Sequence, residues 1–148
     1  MRRFSRNSEE SKNVVIDTNI IVSALLTKNP LAPTAQIIDA VMGGKLRPIH
    51  SPEIIDEYRK VLSRSHFHFN SDTVESVIAQ FVTIGCSVIP AEPKDEGFPD
   101  PDDKIFYCCA LAAQGDGAVL VTGNKRHFPD ADFVLTPSEF VARYAPLM

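Results

Sequence analysis

Near the start of the chain, Val14-Val15-Ile16 is followed at once by Asp17-Thr18-Asn19 and then by Ile20 to Leu26. A short unbroken β-branched run is read as a strand buried on both faces. Asp-Thr-Asn is good turn and cap chemistry, and the apolar stretch behind it reads as a helix. The same alternation continues down the chain. Leu46 to Ile49 (interrupted by Pro48), Ser87 to Ile89, Ala118 to Val121 and Phe133 to Leu135 read as further short strands. Helices are expected from a cap at Thr34 to Gly43-Gly44, from Ser51-Pro52-Glu53 to about Ser63, and from Ser71 or Asp72 to Ile84. Two more are expected from Asp103 to Gln114 and from Pro137 onward. Asn29 to Pro33, Ser65 to Asn70 and Pro90 to Pro101 read as loops. Short apolar strands alternating with helices predict an α/β protein, a three-layer α/β/α sandwich around a central, mainly parallel sheet. In that architecture ligands bind beyond the carboxyl ends of the strands.

Composition agrees with a single globular unit. The 148 residues are 44% hydrophobic and 23% charged, which excludes a disordered or collagen-like chain. The expected organisation is a flexible arm over residues 1–12 and one domain over 13–148. No apolar run reaches membrane-spanning length. Cys86, Cys108 and Cys109 form neither a disulfide framework nor a CxxC pattern, so buried, reduced thiols in a cytoplasmic protein are expected. Fifteen Lys and Arg against nineteen Asp and Glu give a net charge of -4, which argues against simple electrostatic binding of nucleic acid. Arg2, Arg3 and Arg6 in the arm are either phosphate contacts or a solvated basic end.

Several acids fall where the carboxyl edge of the sheet should be. Asp17 directly follows the first strand; it is either a helix-capping residue or a side chain aimed into the crevice. In the helix from Pro52 to Leu62, the apolar residues Ile54, Ile55, Tyr58, Val61 and Leu62 form one stripe at about 100° per residue. Glu57 is the acid nearest that stripe, with Glu53 and Asp56 farther round. Angle alone leaves Glu57 either as a surface side chain or as one that reaches inward. Asp100, Asp102 and Asp103 precede a helix that is apolar all round, more negative charge than a helix cap requires. Thr122 and Asn124 end the strand Ala118 to Val121, as turn residues or as part of the same crevice.

Converging carboxylates repel unless cations gather with them. Hard divalent ions with oxygen ligands meet that need, Mg²⁺ in particular. His50, His66, His68 and His127 show no zinc-ligand spacing. There is no P-loop and no nucleophile elbow. Metal-assisted phosphodiester hydrolysis is the reaction class that remains. A phosphoacceptor or haloacid-dehalogenase-like phosphatase is an alternative, but the latter needs a second Asp two residues after the nucleophile, where Asn19 stands.

Four segments together resemble the PIN-domain family, and more narrowly its VapC-like toxin components. They are Val14-Val15-Ile16-Asp17-Thr18-Asn19-Ile20-Ile21-Val22-Ser23, Ser51-Pro52-Glu53-Ile54-Ile55-Asp56-Glu57-Tyr58, Asp100-Pro101-Asp102-Asp103-Lys104-Ile105-Phe106 and Leu120-Val121-Thr122-Gly123-Asn124-Lys125-Arg126-His127-Phe128-Pro129. The resemblance implies a ribonuclease with Asp17, Glu57 and Asp103 as catalytic, metal-holding acids for Mg²⁺ or Mn²⁺. It makes Thr18, Asn19, Ser23, Asp100, Thr122 and Asn124 supporting groups, and Lys125 and Arg126 RNA contacts. Many members carry a fourth acid where this chain has Asn124. The implied partners are RNA, a small antitoxin protein and a second copy of the chain. The alternative is a weakly catalytic module that binds RNA or an antitoxin.

Overall fold

A computed structural model describes residues 11–92, 98 and 101–148. Five strands form one sheet in the order β3-β2-β1-β4-β5, every neighbouring pair parallel. They are β1 (Lys12–Ile16), β2 (Leu46–His50), β3 (Cys86–Ser87), β4 (Val119–Val121) and β5 (Val134–Leu135). The six α-helices among the described residues are α1 (Thr18–Leu26), α2 (Pro33–Met42), α3 (Pro52–Leu62), α4 (Ser71–Ile84), α5 (Pro101–Ala112) and α6 (Pro137–Tyr144). Lys12, assigned above to the arm, is the first residue of β1 and pairs with Leu46. None of the described helices is long and apolar enough to cross a membrane.

Val14, Val15 and Ile16 are all completely buried, so both faces of β1 are covered. The chain first builds outward from β1 to β2 and β3, then returns past β1 to β4 and β5. Right-handed parallel crossovers on the two sides of that reversal place helices on opposite faces, giving the expected three layers. α5 packs over β1, β2 and β4. Its middle, Phe106 to Ala110, is buried, as its all-round apolar sequence requires.

Local chemistry moves several boundaries. α2 starts at Pro33 with Ala32 at the cap position, because proline suits the first helical turn; the Thr34 hydroxyl instead meets Ser23 Oγ at 3.1 Å. Asn70 caps α4 by accepting from the amides of Asp72 and Thr73. α5 begins at Pro101, two residues before the expected start and for the same reason as α2. The third strand is Cys86–Ser87, not Ser87 to Ile89, and Ile89 is 89% exposed. Cys86 is exposed, unlike the buried thiols of Cys108 and Cys109. Pro48 is tolerated inside β2 because residues 48 and 50 present their amide positions to the same side, and there β3 begins only opposite Ile49. The chain then crosses close by: a Cβ on Gly85 would lie 2.3 Å from the Pro48 carbonyl oxygen and 2.4 Å from that of Phe81.

Tyr58 ties α3 to the sheet. It is fully buried, sits edge-on to Phe81 with ring centroids 5.5 Å apart, and donates its hydroxyl to the carbonyl of Ile16, the last residue of β1. The residue before Tyr58 is thereby held near the residue after Ile16. Tyr58→Phe should lower the unfolding free energy by about 1–2 kcal/mol, because it leaves a buried carbonyl without that donor. Urea denaturation checks this, and an unchanged midpoint would mean that ring packing alone holds α3.

Candidate active site

The strand order reverses between β1 and β4, so the crevice beyond their carboxyl ends is where a ligand site is expected. Asp17 stands there. Its amide donates to the Val121 carbonyl at 3.0 Å and extends the β1–β4 pairing by one residue. Its carboxylate makes no cap hydrogen bond to α1. It accepts instead from Thr122 Oγ1 at 2.7 Å and from Asn19 Nδ2 at 3.3 Å, both on Oδ2. Thr122 Oγ1 in turn accepts from the Asn124 amide at 3.0 Å, and Asn19 Oδ1 accepts from the Gly123 amide at 3.1 Å. The turn after β4 and the start of α1 are thus laced together around one carboxyl group.

A hollow of about 300 Å³ opens beside it, lined by Asp17, Thr18, Asn19, Glu57, Asp103, Arg64 and Phe67 among others. Asp102 also faces it but is exposed. Glu57 is half-buried while Glu53 and Asp56 are exposed, which matches its place beside the apolar stripe of α3. Asp103 comes from the first turn of α5. Asp17, Glu57 and Asp103, distant in sequence, therefore border one space. Thr18 Oγ1 is buried there without a hydrogen-bond partner.

Other residues singled out from sequence fall elsewhere. Ser23 faces α2. Asn124 is exposed and uses its backbone amide, not its side chain, toward Thr122. Lys125 Nζ pairs with Glu139 at 3.0 Å and lines a different hollow, bounded by Asp130, Asp132 and Arg143. Arg126 is exposed. Asp100 and the arginines of the arm lie outside the described residues. Two groups were not foreseen. His127 Nδ1 lies 3.6 Å from Asp103 Oδ2, across 24 residues of sequence, and Arg64 reaches the acid hollow from the end of α3.

Burial pushes the Asp17 carboxyl up to about 6; the Thr122 hydrogen bond opposes this, and the nearby charge of Asp103 adds to it. Among the described residues, no three Asp, Glu, His or Cys side chains are drawn together as a group that would hold a metal ion. The donor set nevertheless fits a hard divalent cation. Mg²⁺ needs only one or two protein carboxylates and keeps several waters, and a cation would relieve the repulsion between Asp17 and Asp103.

A parallel α/β/α sandwich with acids bordering one hollow at its switch point has the architecture of a nuclease-type domain. The family model described as PIN domain matches residues 13–126, and the chain belongs to that family. PIN domains are generally nucleases and typically use divalent metal ions. No curated protein and no solved structure matches this chain.

Asp17 also makes stability depend on pH. Its folded value of about 6 lies above the ordinary 3.8, so the folded protein keeps a proton that the unfolded chain has already lost. Stability from this group is highest below about pH 4, falls as pH rises toward 6, and above that carries a penalty of about 3 kcal/mol. In EDTA, Asp17→Asn should therefore be more stable than the parent at pH 8 by about 1–3 kcal/mol, with the difference vanishing as pH falls to about 4. Denaturant melts at the two pH values check this; destabilisation at both would mark Asp17 as a structural cap.

Proposed function

We propose that the chain is an endoribonuclease that hydrolyses RNA phosphodiester bonds with Mg²⁺ or Mn²⁺. On this reading it is the toxin of a toxin–antitoxin pair, acting in the cytoplasm as a homodimer held in check by a small antitoxin. The observation that carries the chemistry is the convergence of Asp17, Glu57 and Asp103 on one hollow beyond β1 and β4.

These three acids would hold the ion. When bound, a hard divalent ion supplies Lewis acidity to a phosphoryl oxygen and to water. Thr122 and Asn19 fix Asp17 Oδ2. Thr18 offers a buried hydroxyl beside it. His127 Nδ1 stands 3.6 Å from Asp103 Oδ2. Arg64 offers the hollow a guanidinium suited to a phosphate oxygen. In a chain of net charge -4, bare carboxylates repel the substrate, so RNA should approach this hollow only when a cation reverses the local charge.

The open spacing of the acids favours one second reading, a weakly catalytic module that binds RNA or an antitoxin. Cleavage of a single-stranded RNA oligonucleotide in Mn²⁺ separates the two. Asp17→Asn and Asp103→Asn should each lose more activity than the roughly 10–100-fold typical when a group behind a metal ligand is removed, the level expected for Thr122→Val. Circular dichroism should show the fold retained in all three. Unchanged cleavage in the Asp variants would identify a contaminating nuclease, and absence of cleavage by the wild type would favour the binding module.

A further inference from the structure

The connection between α3 and α4 carries a row of rings at the wall of the acid hollow. Ser65–Phe67 makes a single 3-10 turn, and His68 then adopts a left-handed conformation with φ of 57°, alone among the described non-glycine residues. That reversal lays the Phe69 ring on the Phe67 ring, with centroids 5.2 Å apart and planes 11° from parallel. The His66 ring lies 4.3 Å from Phe67 at 40°. Phe69 rests on the hydrophobic core, Phe67 lines the hollow, and His66 is exposed. The rings thus form a ladder that runs from the core out to solvent, and its middle ring, Phe67, borders the hollow shared with Asp17 and Glu57. From Tyr58 to Ser71 there is no acid, yet the segment holds Arg59, Lys60, Arg64, His66 and His68. Arg59 is engaged by Glu75 at 3.2 Å, whereas Arg64 lines the hollow.

We infer that residues 64–69 are a stacking ledge for one unpaired nucleobase, with Arg64 on the adjoining phosphate. Rings interleaved with cations are how single-stranded nucleic acid is held, since every base has a π-face and every link a phosphate. A base inside a duplex has both faces covered and cannot extend the ladder. The ledge therefore selects single-stranded RNA and delivers it to the acids. This rests on the nuclease reading for the identity of the substrate, and it adds which residues outside the acids hold the strand.

Binding measured without turnover separates the two ideas. The full-length protein would be titrated in CaCl₂ against a fluorescein-labelled 12-nucleotide single-stranded RNA, followed by anisotropy, with a gel confirming an intact probe. The expected result is that His66→Ala and Phe67→Leu each weaken binding about fivefold or more, while Phe67→Trp keeps it. The same RNA annealed to its complement should bind at least about tenfold more weakly, and Arg64→Gln should reduce the salt dependence. An abasic 12-mer should bind poorly and should not discriminate His66→Ala from wild type. His66 and Arg64 are exposed, so their variants test the ledge even if Phe67→Leu fails to fold. Wild-type affinity in His66→Ala, equal affinity for duplex and single strand, or no RNA binding at all overturns the inference. Ring-dependent binding without Mg²⁺- or Mn²⁺-dependent cleavage would leave the ledge standing and remove the nuclease.

Discussion

The hydrogen bond from Thr122 Oγ1 to Asp17 Oδ2, 2.7 Å long, spans the point where the sheet changes direction. Each partner follows the last residue of its strand, and the strands are paired in register up to that point, Ile16 opposite Val121. The bond exists only because the backbone pairing brings residues 105 positions apart to adjacent places. It offsets part of the cost of burying an ionisable group. It also helps to decide the direction of the carboxylate, since one of its oxygens is committed to the Thr122 hydroxyl. Tyr58, reaching from α3 to the Ile16 carbonyl, brings Glu57 to the same end of the same strand. Strand register and one buried phenol thus do most of the positioning.

The electrostatics of the site follow from that placement. A carboxyl group held above its ordinary range by burial and by a neighbouring acid is a locally unfavourable arrangement, tolerated in a domain whose core is otherwise apolar and closely packed. Perturbed carboxyls of this kind gather where a fold has work to do. Nitrogen-bearing side chains border the acids: Arg64 lines the hollow and His127 Nδ1 lies 3.6 Å from Asp103 Oδ2. Lys125 is drawn off by Glu139, whose carboxylate also closes the capping box of α6 with Thr136. A conspicuous basic pair in sequence, Lys125-Arg126, is thereby divided, with one member serving a helix terminus.

What could be read from residue order is whatever short-range pattern controls. The β-branched run of β1 and the apolar run of β4 are buried throughout, and the helical spacing in α3 ranks Glu57 above Glu53 and Asp56 for burial, as observed. The third strand differs from the expected Ser87 to Ile89 because the apolar Ile89 reads as interior, whereas the chain has already left the sheet there. The starts of α2 and α5 shifted because proline at the first turn outweighed the hydroxyl or carboxyl residues that follow it. The contacts that complete the candidate site were the least legible. His127 looked isolated because its neighbour Asp103 is near only in space. Phe67 lies in the segment Ser65 to Asn70 that reads as a loop, although His66, Phe67, His68 and Phe69 put four rings in a row there, and Arg64 falls just past the expected end of the helix before it.

The sheet ends on each side in a strand of only two residues, β3 and β5. An unpaired strand margin is a template on which another chain can add itself, and its reach is set by its length. Stubs this short offer too few backbone groups for a foreign strand to zip onto, and Pro48 removes one donor just inside the β3 margin. Such a domain is guarded against runaway fibre growth even while its hydrophobic strands are still assembling.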